Sequence, residues 1–171
     1  MVRRALAILA LIGAAGSARA EAIKVPLSII EAGWKQAKCS VELKDEERDG
    51  ETLGGGLLIV EVYCWRAAYQ AGSIFFAVDP KAPDKARLLR FPTWNGKRMV
   101  SDFSITSADY GSKDRTMSSF HKGRGVGDCG SVASWKWNGK DFKLTKQWLK
   151  SNCDGNPFDE SRRWRVYPPR R

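Results

Sequence analysis

The densest run of chemically useful residues in the chain is Lys122-Gly123-Arg124-Gly125-Val126-Gly127-Asp128-Cys129-Gly130. Glycines alternating with Lys122, Arg124 and Val126 can turn backbone N–H groups into a concave nest for an anion. Lys122, Gly123, Arg124, Gly125 and Gly127 would then be the donors and the flanking charges. The same glycines can instead serve a bulged crossover, where positive φ and close packing beside Cys129 are what only glycine permits. Gly125-x-Gly127-x-x-Gly130 also spells the dinucleotide fingerprint. That motif works only where a helix follows and turns its N-terminus to pyrophosphate. A tryptophan-rich strand pattern follows here, which excludes it.

The remaining reactive residues argue against catalysis. His121 is the single histidine and follows Phe120 at a strand end, where a lone imidazole reads as a surface or hydrogen-bonded group rather than a base. Cys39, Cys64, Cys129 and Cys153 contain no C-x-x-C pair, against zinc or thioredoxin-like chemistry. Asp45-Glu46-Glu47-Arg48-Asp49-Gly50 imitates the start of a calcium loop, but Gly56 stands where a bidentate glutamate is required, so it reads as a solvated acidic turn. Seven tryptophans could line a sugar platform, although Trp135 has a core position, Trp65 flanks a central strand and most of the others read as core too. Paired carboxylates for glycoside hydrolysis must meet in space, and no sequence spacing marks such a pair. No catalytic residue, metal or cofactor is expected.

The compartment follows from the amino end. Arg3-Arg4, an apolar run from Ala5 to Ala15 and Ala18-Arg19-Ala20 describe a secretory signal peptide over residues 1–20, cut before Glu21. The run is shorter than the roughly 20 residues a membrane span needs, and no cysteine follows the cut to carry a lipid. Residues 21–171 are then one secreted domain, with no transmembrane segment after cleavage. Loss of three arginines with the leader lowers the formal charge from +10 to +7. In a periplasmic or secreted setting that charge favours an anionic envelope glycan, a lipid headgroup or an acidic protein over nucleic acid. It also serves solubility alone. Four cysteines in an oxidising compartment read as two disulfides with three possible connectivities. The pairing nearest in sequence, Cys39–Cys64 with Cys129–Cys153, is preferred, each bridge contributing about 3 kcal/mol in the chain-entropy description.

The elements that must hold these residues are mainly strands. Asn138-Gly139 predicts a two-residue type I′ hairpin, pairing Trp137 with Lys140, Lys136 with Asp141, Trp135 with Phe142 and Ala133 with Leu144. Trp135, Phe142, Ala133 and Leu144 then face the core, and Lys136, Asp141, Ser134 and Lys143 face solvent. Leu57–Trp65 reads as a central strand, with Leu58, Val60, Val62 and Cys64 on one face. Ser73–Val78 and Ala86–Phe91 are strands flanking a turn at Asp79–Asp84. Met99–Thr106 alternates as one half-buried strand, and Met117 and Phe120 begin another. Ser28 and Glu31 suggest a capping box for a short helix over Ile29–Lys38 that carries Ile30, Trp34 and Ala37. Trp94-Asn95-Gly96-Lys97 echoes Trp137-Asn138-Gly139-Lys140, and common turn chemistry explains the repeat better than propeller blades. The expected fold is mainly β: a single antiparallel β domain of two packed sheets or a curved open barrel, disulfide-linked, with a short N-terminal helix.

The order of landmarks resembles a bacterial exported family, domain of unknown function 1176. The residues that carry it are Cys64 with Ala68-Tyr69-Gln70, Phe91-Pro92 with the Trp94 turn, Lys122 to Gly130, Trp135 to Phe142, and Cys153-Asp154-Gly155. The glycine–cysteine run is the specific part, and the likeness covers roughly Cys39 to Trp164. This chain departs from it at Ala67-Ala68-Tyr69-Gln70, where relatives usually read Gly-Ala-Tyr-Asn, and relatives are longer at the amino end. The resemblance implies export, β structure and disulfides, and brings no activity with it. The function expected is a non-enzymatic envelope protein binding an anionic component through the basic glycine loop. A proteinaceous inhibitor of a cell-wall hydrolase and an envelope glycan hydrolase are the alternatives. Non-reducing peptide mapping should find the two preferred bridges and no free thiol.

Overall fold

The computed structural model describes residues 21–159 and 162–168, so the expected signal peptide lies outside the described residues. Strands β1 (Glu21–Ile23), β2 (Arg48–Gly54), β3 (Leu57–Arg66), β4 (Ala71–Asp79) and β5 (Ala82–Leu88) lie in that order in one antiparallel sheet. A short strand, β8 (Ser104–Thr106), also pairs with β4. A second antiparallel sheet runs β13 (Arg165–Tyr167), β12 (Phe142–Lys150), β11 (Gly130–Trp137), β10 (Thr116–Lys122), β9 (Ala108–Gly111). β6 (Phe91–Trp94) and β7 (Met99–Asp102) form a separate hairpin. The sheets do not close into a barrel.

The apolar alternation of the strands produces two cores. Leu53, Ile59, Phe75 and Ala77 of the first sheet meet Met117, Ala133, Trp135, Phe142 and Leu144 of the second. On the other face of the first sheet, Leu58, Val60, Val62 and Cys64 share a core with Ile74, Phe76 and Ile30. Ile30 belongs to α1 (Leu27–Gln36), which sits so close to the sheet that a Cβ on Gly33 would come within 2.6 Å of the Phe76 ring. The Cys39–Cys64 bridge, Cα–Cα 4.8 Å or less in both disulfides, ties the chain after this helix to β3.

Several expectations are corrected. Ser28 lies inside α1, Pro26 precedes the first turn, and no side chain caps it, so the capping box does not form. The run Met99–Thr106 is broken at Phe103: β7 pairs with β6 while β8 pairs with β4. Its alternation was real, but its two halves serve different sheets. The turn after β4 is only Pro80-Lys81, since Asp79 pairs with Ala82 and its carboxylate accepts the Lys81 amide at 2.9 Å.

The hairpin register is also corrected. Trp137 pairs with Phe142, Lys136 with Lys143 and Trp135 with Leu144. The loop is therefore four residues long, and the reason is Asn138. Type I′ needs positive φ at both central residues, yet only Gly139 has it (98°). The Asn138 side-chain oxygen Oδ1 instead accepts the amides of Lys140 and Asp141, at 3.0 and 2.9 Å. Asn95 makes the same two bonds to Lys97 and Arg98, so the echoed tetrapeptides are one turn used twice. A shift of two residues preserves the faces: Trp135 and Phe142 are buried and Lys136 is exposed. In urea melts Trp135→Ala should cost about 3–5 kcal/mol and Lys136→Ala less than about 0.5 kcal/mol; similar losses would contradict this assignment of faces.

Candidate functional site

One end of the sandwich collects the segments that carry the distinctive sequence. After β3 the chain turns through Ala67 to Gln70. The Gln70 amide nitrogen donates to the Lys122 carbonyl at 3.2 Å, and its oxygen accepts the Lys122 amide at 2.9 Å. One side chain thus stands in for a strand partner at the end of β10. The neighbouring Tyr69 ring lies on Gly125, where an added Cβ would be 3.0 Å from it.

The glycine loop between β10 and β11 is held from within. Arg124 grips Asp128 with two bonds, Nε to Oδ1 at 2.7 Å and Nη2 to Oδ2 at 2.5 Å, a bidentate pair. The buried Asp128 also accepts the Gly155 amide at 2.6 Å. Gly123 donates to the Cys129 carbonyl and Gly127 to the Arg124 carbonyl, both at 2.9 Å. A Cβ on Gly123 would sit 2.8 Å from the Cys129 sulfur, and one on Gly130 (φ 142°) would collide with the His121 carbonyl. The Gly123 and Gly127 amides and the Arg124 guanidinium are therefore engaged inside the protein, and the crossover reading of these glycines fits their geometry. Among the expected anion contacts, Lys122 makes no ion pair within the described residues. The helix that the dinucleotide motif requires does not follow, since Gly130 opens strand β11.

The segment after β12 completes this end. Cys153 is bonded to Cys129, and its carbonyl accepts from Arg124 at 3.2 Å. Lys150 is fully buried. Its ammonium donates to Asp154 at 2.7 Å and to the Asn156 carbonyl at 2.8 Å, and lies 5.5 Å from the Trp164 ring. Asp128, Cys129 and Cys153 come within 4.8 Å of one another. Their sulfurs are bonded to each other and the carboxylate to Arg124, which makes this cluster a fastening rather than a set of metal ligands. His121 is exposed and shares a 3.2 Å hydrogen bond with Thr106.

Sequence reasoning missed the concave feature beside this end. The ladder between β2 and β3 stops at Gly50–Val60. Beyond it the strands part, and a groove of about 970 Å³ opens, lined by Arg48, Glu61, Tyr63, Trp65, Arg66 and Tyr69 among others. Tyr63 is 66% exposed and Tyr69 72%, with Val126 of the glycine loop at 78%. The Trp65 ring packs against Gly72, whose missing side chain makes room for it. Arg48, one wall of the groove, donates to the carbonyls of Glu46 and Lys44 at 2.8 and 2.7 Å, which orders the supposed acidic turn. The alternation of β3 placed Tyr63 opposite the core residues Val62 and Cys64, but nothing local says that its face is left uncovered.

Residues 12–168 match the family described as protein of unknown function, DUF1176. The chain belongs to that family. An uncharacterised Escherichia coli (strain K12) protein, YpfG, is 28% identical over 119 residues, which are 68% of this chain and 34% of YpfG. The chain thus spans about a third of the length of that relative. No solved structure matches it. The DUF1176 landmarks at Tyr69-Gln70, Lys122–Gly130 and Cys153–Gly155 are the residues that touch one another here.

Charge follows from these contacts. The Arg124 guanidinium first, then the Gly155 amide, hold the Asp128 carboxyl far below its ordinary value of 3.8 against the opposing effect of burial. Lys150 lowers Asp154 in the same way. A depressed folded-state value means that the unfolded chain takes up protons first. The contribution is complete well above pH 3.8 and is lost as pH falls below that value towards the folded one. Burial, then Asp109 and Glu61, raise Glu51 instead, so its unfavourable charge is relieved as pH falls through its raised value. Asp128→Asn should therefore lower stability at pH 7 and flatten the loss of stability below about pH 4, measured by chemical denaturation at a series of pH values; an unchanged acid limb would contradict the assignment.

Proposed function

We propose that this DUF1176 chain is an exported, non-enzymatic binding domain whose recognition surface is the end of the sandwich around the β2–β3 groove. The observation that carries the reading is Tyr69. Its ring is largely exposed, yet it is fixed on Gly125 and flanked by the Gln70–Lys122 pairing. Exposed aromatic rings held rigid beside a concavity of ligand size are the usual material of a binding site. Tyr63 and Trp65 supply further flat faces, Arg66 and Lys44 supply cations, and the groove carboxylates supply acceptors. That combination suits a sugar-bearing envelope component with an anionic group. Two disulfides support an oxidising, extracytoplasmic setting. The cysteines carry no free thiol among the described residues, and His121 is turned to Thr106, which leaves neither a thiol nor an imidazole in the groove.

The experiment is calorimetric titration of the mature protein with soluble peptidoglycan fragments. Tyr69→Ala and Tyr63→Ala should each weaken binding about tenfold, the loss of one well-placed aromatic contact, while melting temperatures change little. Binding that survives both substitutions would move the site elsewhere. Release of new reducing ends during the titration would replace the binding reading with hydrolysis.

A second reading has its own observation. Val126 projects at the tip of a loop pinned by a disulfide and a bidentate ion pair. A rigid apolar tip of that kind is what a proteinaceous inhibitor inserts into a cleft. Inhibition of a cell-wall hydrolase that Val126→Asp abolishes and Tyr63→Ala leaves intact would favour it.

A further inference from the structure

A different surface carries a cluster of three cations on adjacent strands. The inner face of the second sheet is set by Met117 opposite Trp135 and by Trp135 opposite Leu144. Alternation therefore puts Thr116, Ser118, Ser134, Lys136 and Lys143 on its outer face. Lys136 and Lys143 stand directly opposite each other on β11 and β12. Like charges in that relation destabilise a sheet, so the fold alone gives no reason for the pair.

A bulge adds a third cation. Leu144 pairs with Trp135 and Lys146 with Ser134, leaving Thr145 as the extra residue, its hydroxyl donating to the Ser134 carbonyl at 2.9 Å. Without the extra residue, strict alternation would send Lys146 to the opposite face from Lys143; the bulge aims both outward. It also directs Gln147 inward to Trp94, where it bonds both backbone groups, so the re-aimed lysine accompanies a structural contact. Lys136 donates to the Asp114 carbonyl. The acidic groups on this side, Asp109 and Asp114, lie on β9 and in the loop after it. Neither Lys143 nor Lys146 has an ion pair among the described residues. Arg124 and Lys150, by contrast, are already neutralised.

We propose that this open face, centred on Lys136, Lys143 and Lys146, docks a linear acidic polysaccharide. Three cations along two adjacent strands match carboxylates repeating along a chain, and the hydroxyls of Thr116, Ser118 and Ser134 beside them match sugar hydroxyls. These six residues are all polar, although Phe120 and Val132 adjoin Ser118 and Ser134 on the same face, so a lipid surface is the competing occupant that the test separates. The surface is separate from the β2–β3 groove, and its test uses none of the groove residues.

The probe is oligogalacturonate, a linear sugar chain with a carboxylate on every ring, titrated at low salt into three proteins. These are the unsubstituted chain, the triple variant Lys136→Gln/Lys143→Gln/Lys146→Gln, and a control triple variant Lys35→Gln/Lys85→Gln/Lys97→Gln. The first triple should lose about tenfold in affinity, since exposed ion pairs are each worth roughly a factor of two or three, while the control should lose less than about twofold. Lys143→Gln alone should hold or raise the melting temperature because it relieves the Lys136–Lys143 repulsion, which separates lost docking from lost folding. Equal losses in the two triples would reduce the effect to net charge and overturn the proposal. So would the absence of oligogalacturonate binding, or binding to vesicles rich in phosphatidylglycerol in its place.

Discussion

Phe91 is the contact on which the sandwich turns. Its ring is fully buried, 5.7 Å from Phe75 of the first sheet and 5.4 and 5.2 Å from Trp135 and Phe142 of the second. Edge and offset contacts of this kind add to the area they bury. The next residue supplies the polar complement, because the Trp135 ring nitrogen donates to the Pro92 carbonyl at 2.6 Å. A large indole can therefore be buried without an unsatisfied donor. The sheets share no strand ladder; this aromatic junction between them sets their separation.

At the groove end the coupling is polar. Ser119 donates to the Thr106 carbonyl at 2.8 Å, joining β10 to β8. Gln70 reaches Lys122, and Asp128 gathers Arg124 and Gly155. Gln70, Asp128 and the buried Lys150 are each held by more than one hydrogen bond there, which is what makes a loop-built end rigid. The exposed rings of Tyr63 and Tyr69 stand out against that background, since the surrounding residues are committed to one another and these two are not.

What could be read from the sequence depended on whether the signal was local. Strand β3, the inward faces of β11 and β12, the short helix and the nearest-neighbour disulfides all follow from periodicity or short separation. The four-residue turns at Asn95 and Asn138 were legible as turns but not as to type, because the choice rests on where an asparagine side chain points. The division of Met99–Thr106 between two sheets has no local mark beyond Phe103 falling out of the pattern. The candidate site was half visible. Its glycine–cysteine run stands out in the sequence, but nothing there marks Arg124 as the partner of Asp128, four positions on. The groove depends on two strands parting after Val60, and Gln70 meets Lys122 across more than fifty residues of chain; no spacing announces either.

Two of the glutamines have a consequence for how the chain meets its own copies. Gln70 occupies both backbone groups of Lys122, beyond the point where β9 stops accompanying β10, and Gln147 does the same for Trp94 at the end of β6. A primary amide carries a donor and an acceptor side by side, so one side chain can end a strand as a neighbouring strand would. Both sites are places where an unpaired edge would otherwise invite another polypeptide to add on. The chain thus closes two of its exposed margins against self-association with single residues. A glutamate at either position, isosteric but unable to donate once ionised, would reopen the margin.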